Sequence, residues 1–83
     1  MNRAAKRFAA YVDECLGRAA KGGRHWLRLP LAEFMRATGY AERTARQAWA
    51  DVRELYESRA VRRGRSFVSM VALPGTLSPW ETQ

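Results

Sequence analysis

The sequence predicts a mainly α-helical domain with a small β-hairpin, an α+β fold, and three observations lead to it. Apolar residues recur at three- and four-residue steps in three separate runs, the mark of amphipathic helices. Gly22, Gly23 and Gly39 punctuate those runs. Further on, two short extended runs flank Gly64 in the pattern of a hairpin. With 83 residues, 47% of them hydrophobic, the chain can build one core, near the smallest size at which a single core suffices. One domain is expected over residues 1–73 and a tail over 74–83, where Pro74, Gly75 and Pro79 oppose regular structure.

The first helix is expected over residues 3–20, "RAAKRFAAYVDECLGRAA". Phe8, Tyr11, Val12, Cys15, Leu16 and Ala19 share one stripe, while Lys6, Asp13 and Glu14 fall elsewhere on the wheel. "KGGR" at 21–24 ends it, because glycine enters left-handed conformations without strain. "HWLRL" (25–29) reads as a short strand closed by Pro30. Proline is tolerated at the first helical position, so a second helix fits from there, with Leu31, Phe34, Met35 and Thr38 inward and Gly39 at its end. The turn "GYAE" leads to a third helix over 43–57, whose stripe is Ala45, Ala48, Trp49, Val52 and Tyr56, with Leu55 at its edge. "RAVRR" and "SFVSMVAL" then form the hairpin. A lone hairpin is marginal, so Val61, Phe67, Val68, Met70 and Val71 should pack on the helices.

The order is therefore helix, strand, helix, turn, helix, hairpin. Two helices around a short turn containing glycine, followed by a β-hairpin, form the layout of a winged helix-turn-helix.

Charge narrows the function. Lysine plus arginine outnumber aspartate plus glutamate 15 to 8, giving a net charge of +7 and a pI near 10.8. So large an excess on so short a chain favours a polyanionic partner, nucleic acid before an anionic membrane surface. Lysine occurs only at Lys6 and Lys21, and arginine forks onto phosphates and guanine edges better than lysine does. No acid interrupts residues 58–73, which hold Arg59, Arg62, Arg63 and Arg65.

The third helix carries the candidate reading surface. Opposite its apolar stripe, the first two turns show Arg43 and Gln47, flanked by Arg46: side chains that reach guanine and adenine edges. Ala50 is small enough to let the helix sit deep in a groove. Glu54 and Glu57 lie further along, which suits a helix that reads bases with its N-terminal residues. Around Gly64, the hairpin arginines can lie along a backbone or enter a minor groove.

"LP…TGYAERTARQAWADV…VRRGRSFV" resembles the DNA-binding domain of GntR-type bacterial transcriptional regulators. That family has a Leu-Pro pair, a helix ending in glycine, a Thr-Val-Arg-Gln-Ala-Leu run and an Arg-Arg-x-Gly-Arg-Gly wing before an aromatic. Leu29-Pro30, Gly39, "TARQAW" (44–49) and "RRGRSFV" (62–68) stand in the matching places, so the likeness covers residues 29–68. The resemblance implies that Thr44 and Arg46 approach DNA, that Gln47 matches too, and that Arg65 is the wing arginine. Arg43 stands where the family often has threonine, so its role rests on the helical wheel. Two departures matter. Ala41-Glu42 replaces the family's Ser-Arg at the helix entry, and Glu42 suits the positive helix end but faces phosphate poorly. The family's effector domain has no counterpart, so neither effector sensing nor family-style dimerisation is carried over.

The remaining residues point away from catalysis. One histidine (His25) and one cysteine (Cys15) cannot supply four strong zinc ligands or a nucleophile-base-orienter set, so no enzyme, metal or cofactor is expected. Cys15 reads as a small core residue and His25 as a strand residue. A single cysteine excludes a disulfide framework and suits a reducing, cytoplasmic home, nucleoid-associated if the chain binds DNA. Only "FAAYV" separates Arg7 from Asp13 and Glu14, which is neither a secretory signal nor a membrane span of about 20 residues. Trp26 and Trp49 read as core aromatics, and Trp80 or the first helix as the place for a homodimer or protein partner.

The expected function is sequence-selective binding of double-stranded DNA by a small transcriptional regulator, a repressor. Arg43, Arg46 and Gln47 would read bases, while Arg36, Thr44, Arg62, Arg63 and Arg65 would hold backbone or minor groove. The same residues admit an excisionase-like, architectural or replication accessory protein. They also admit a protein-binding winged helix, such as a phage-encoded inhibitor of a host nucleoprotein, to which Glu42, Asp51, Glu54 and Glu57 would contribute.

Overall fold

Asn2 opens the first helix by accepting the Ala5 N–H on its side-chain Oδ1 at 2.8 Å, satisfying one of the donors a helix start leaves free. The computed structural model describes residues 1–75 of the chain, and the expectations for Pro79 and Trp80 lie outside the described residues. Helix α1 runs Arg3–Lys21 and buries Phe8, Val12 and Leu16 of its predicted stripe, together with Ala5. It ends in a Schellman turn: Gly23 at φ +84° lets its own N–H reach Ala20 O and the Arg24 N–H reach Ala19 O at 2.8 Å. Of the two glycines expected to turn the chain, only Gly23 is left-handed; Gly22 has φ −90°.

Strand β1 spans Trp26–Arg28. It is shorter than the expected 25–29: His25 is exposed ahead of it, and Leu29 keeps one link by donating its N–H to Ser69 O at 2.8 Å. Pro30 caps the second helix instead of entering it, because its backbone is folded into a tight turn closed by the Leu31 N–H on Leu29 O. Helix α2, Leu31–Thr38, buries Phe34 and stops at Gly39, whose φ of +77° only glycine adopts freely. Thr38 secures that end, donating to Phe34 O at 2.8 Å and accepting the Tyr40 N–H at 3.2 Å.

Helix α3 covers Glu42–Val52, not 43–57. One 3-10 turn, Arg53–Leu55, tightens the chain, Tyr56 is extended (φ −134°, ψ 159°), and strand β2 begins at Glu57. The apolar period continues to Tyr56, but tertiary contacts override it. The Tyr56 hydroxyl donates towards Asp13 Oδ1 at 2.7 Å and Ala9 O at 3.0 Å on α1, while Glu57 is drawn into register with Ala72. Burial, and then the hydrogen bond to Asp13, push the Tyr56 phenol well above its ordinary range.

Strands β2 (Glu57–Arg63) and β3 (Ser66–Ala72) pair antiparallel from Glu57↔Ala72 to Arg63↔Ser66. Gly64 and Arg65 form the two-residue loop. Gly64 at φ +61°, with no positive φ at Arg65, fits the type II′ turn that matches strand twist. The sheet order is β1-β3-β2, which puts β3 in the centre. The molecule is thus an α+β domain of three helices and a three-stranded antiparallel sheet, in the order α1-β1-α2-α3-β2-β3.

The core lies where α1, α2, α3 and one face of the sheet meet. Phe8, Val12, Phe34, Val52 and Val71 are its largest fully buried side chains. The rings of Phe8 and Phe34 meet edge to face at 4.6 Å, and Trp49 packs on Phe8 at 5.9 Å. Ala45 and Ala48 are fully buried, and their small side chains let α3 lie close on α1. Three expectations fail here. Phe67 is 68% exposed, and Val61 and Val68 are only partly covered, so of the five hairpin residues only Val71 joins the core with the helices, while Met70 is buried on the other face of the sheet. Phe67 lies on the core side but beyond the helices, whereas Val61 and Val68, paired with each other, fall on the face that alternation turns away from the core. Trp26 is half-buried outside the core, because Leu27 takes the inward position and alternation turns Trp26 to the opposite face. Cys15 sits at the core's margin, partly exposed, with Sγ 3.6 Å from an Arg18 nitrogen.

Candidate nucleic-acid interface

The exposed side of α3 begins at Glu42. Ala41 offers no side-chain cap, so the acid in the first turn answers the partial positive charge of the helix end. Glu42 also holds Arg46, whose Nε donates to Glu42 Oε2 at 3.0 Å. Gln47 is held in the same way one turn later, its Nε2 donating to Asp51 Oδ1 at 3.0 Å. Two of the three expected base readers are therefore engaged by acids on their own helix. Arg43 has no such partner among the described residues.

Arg43, Thr44 and Gln47 come together along a cleft of about 350 Å³. Its far wall is the start of α1, Asn2 and Ala4, which brings the first turn of α1 against the first two turns of α3. Asn2 was not a candidate from sequence, since only the packing of α1 on α3 makes it a neighbour of Arg43. Arg36 stands on α2, exposed and 3.9 Å from Glu33, and does not join this cleft.

The hairpin arginines divide between two faces. Arg62 and Arg63 are adjacent on β2, so their side chains point to opposite sides of the sheet. Arg62 lies across from Phe67, and its Nε donates to Gly64 O at 3.2 Å, which braces the loop. Arg63 lies across from Ser66 and lines a second cleft with Arg24, Trp26 and Arg28. Arg65 is exposed in the loop itself. Among the described residues none of Arg62, Arg63 and Arg65 is ion-paired; the three ion pairs all lie within helices.

Among the described residues no group of three or more His, Cys, Asp and Glu is placed to hold a metal ion, and no helix is long and apolar enough to cross a membrane. No protein-family model, curated protein or solved structure matches this chain.

Proposed function

We propose that this chain is a winged helix-turn-helix that binds double-stranded DNA with sequence selectivity, acting as a small transcriptional regulator. In this reading α3 enters the major groove, with Arg43, Arg46 and Gln47 on base edges and Thr44 and Arg36 towards phosphates. The β2–β3 hairpin is the wing, with Arg62, Arg63 and Arg65 on the backbone or in the minor groove. The supporting observation is the α2–turn–α3 unit, turned by left-handed Gly39, which leaves Arg43, Thr44 and Gln47 exposed on the first two turns of α3 ahead of a cationic hairpin with no acid after Glu57. Free Arg43 would make first contact, and Arg46 and Gln47 would exchange Glu42 and Asp51 for DNA on binding.

Anisotropy titration of labelled duplex DNA at several salt concentrations tests this. Affinity should fall steeply with salt, because each phosphate neutralised releases counterions. Absence of binding, or binding indifferent to salt, rejects the proposal.

The exposure of Phe67 favours a second reading on the same fold, an architectural or excisionase-like protein. An apolar side chain beside a cationic tip is the kind that wedges between base steps and kinks the duplex. Gel shifts on circularly permuted sites separate the two, since only the architectural reading requires a strong bend.

A further inference from the structure

We infer that the face of the sheet turned away from the helices carries a second nucleic-acid site, one for single strands. The site arises from a mismatch of strand lengths. Strand β1 has three residues, whereas β2 and β3 have seven each. Beyond the Arg28↔Met70 pair and the Leu29–Ser69 link, β3 has a neighbour only on its β2 side. The sheet therefore steps down, and a cleft of about 600 Å³ opens at the step.

Alternation decides what lines it. Leu27 and Val71 face the core, so Trp26, Arg28, Val68 and Met70 project to the other side, together with Arg63 from β2. Arg24, from the turn after α1, completes the lining. Arg24, Arg28 and Arg63 are all exposed, none is ion-paired among the described residues, and no acid lines the cleft. The three ion pairs among the described residues, at Arg18, Arg36 and Arg46, all lie on the helices and away from this cleft.

Those cations surround an apolar, aromatic floor. The Arg24 guanidinium lies over the Trp26 ring, 5.3 Å from its centroid, and Trp26 and Val68 are both half-buried in the cleft, with Met70 buried in its lining. A planar guanidinium on an indole, with Val68 in the same cleft, offers a stacking surface with phosphate ligands around it. A bare phosphate needs neither the floor nor so large a volume. A duplex offers only its phosphates here, because its bases are stacked on one another. A single strand can turn a base onto the floor while successive phosphates meet the arginines. The ligand chemistry is thus an unpaired nucleotide within a strand, and the site does not depend on the proposed role of α3.

The experiment uses the full chain, a fluorescently labelled 12-mer of thymidylate and a labelled duplex, read by anisotropy. The variant is Arg24→Ala/Arg28→Ala, which changes two exposed residues outside the proposed duplex surface and should keep the wild-type melting curve. The wild type is expected to bind the 12-mer, and the double variant to lose about tenfold or more in that affinity while duplex affinity changes less than about twofold. Inorganic polyphosphate of similar charge should compete for the 12-mer poorly, because it has no bases to stack. A 12-mer that does not bind, or binds the double variant unchanged, overturns the inference even if duplex binding is intact. Equal loss on both DNAs, or polyphosphate competing as well as the oligonucleotide, overturns it too, leaving only a general cationic surface. Duplex binding that fails while the 12-mer behaves as expected rejects the proposed function and leaves this site standing.

Discussion

Arg46 donates through Nε to Glu42 Oε2 at 3.0 Å, one turn back on α3, so an expected base reader is held by the acid at the mouth of its own helix. Both side chains are about two-thirds exposed, at 66% and 64%, so water screens the pair and it contributes little to stability. Its consequence is for binding. Replacing Glu42 with glutamine removes a negative charge facing the ligand and frees Arg46. Duplex affinity should rise about threefold to tenfold, with the largest gain at low salt, for a stability cost of about 0.5 kcal/mol or less. Anisotropy and urea melts on E42Q measure both, and weaker duplex binding would place Glu42 in contact with a base.

Gln47 and Arg65 should differ in kind. Arg65→Ala is expected to weaken binding to all duplexes alike and lower the salt slope by about 1, since a loop arginine supplies grip without reading sequence. Gln47→Ala should cost about 1–3 kcal/mol on the preferred site and relax the preference at one base position. Titration against a small panel of single-base variants separates these outcomes.

Tyr56 ties the end of α3 to α1 through its hydroxyl, 2.7 Å from Asp13 Oδ1 and 3.0 Å from Ala9 O. Tyr56→Phe should lose about 1–2 kcal/mol in urea melts at neutral pH, because a charge-assisted hydrogen bond is removed and the ring is kept. The pH dependence follows from the raised phenol pKa. The unfolded chain releases this proton near the ordinary value of 10.0, whereas burial and the Asp13 hydrogen bond keep it on the folded protein. Folding therefore gains this contribution in full below pH 10 and loses it as pH climbs beyond. Wild-type stability should fall more steeply than that of Tyr56→Phe as pH rises above about 10, as read by paired melts.

Two phenylalanines should behave oppositely. Phe8 is 0% exposed at the centre of the core and Phe67 is 68% exposed on the hairpin. Phe8→Ala should cost about 3–5 kcal/mol, much of the total stability of a domain this small, while Phe67→Ala should stay within about 0.5 kcal/mol. If Phe67 wedges into DNA, its alanine variant should reduce the bend in permuted-site gel shifts at unchanged melting temperature.

Much of the fold was legible because local signals and tertiary packing agree. The α1 stripe of Phe8, Val12 and Leu16 is buried as its period requires, and Gly39 and Gly64 sit at positive φ where helix and hairpin must turn. The misplaced end of α3 has a tertiary cause, competition from distant partners. The helical period ran on to Tyr56, yet α1 and β3 claim that segment and end α3 at Val52. The candidate site was legible as a set of residue types, and its wiring was not. Arg43 and Gln47 share a cleft as the helical wheel implies, Thr44, which only the family resemblance singled out, joins them, and Asn2 does so only through the packing of α1 on α3.

The sequence by itself determined the order of elements, the positions of the turns and the excess of arginine, because period, glycine and charge act over a few residues. Tertiary structure decided which arginines are free. Glu42 can hold Arg46 because one helical turn separates them, while Arg24, Arg28 and Arg63 meet around Trp26 because strand register and unequal strand lengths bring residues 24 and 63 to one cleft. A cleft shared by residues so far apart in the chain depends on which faces the core leaves outside, and only the folded sheet fixes that.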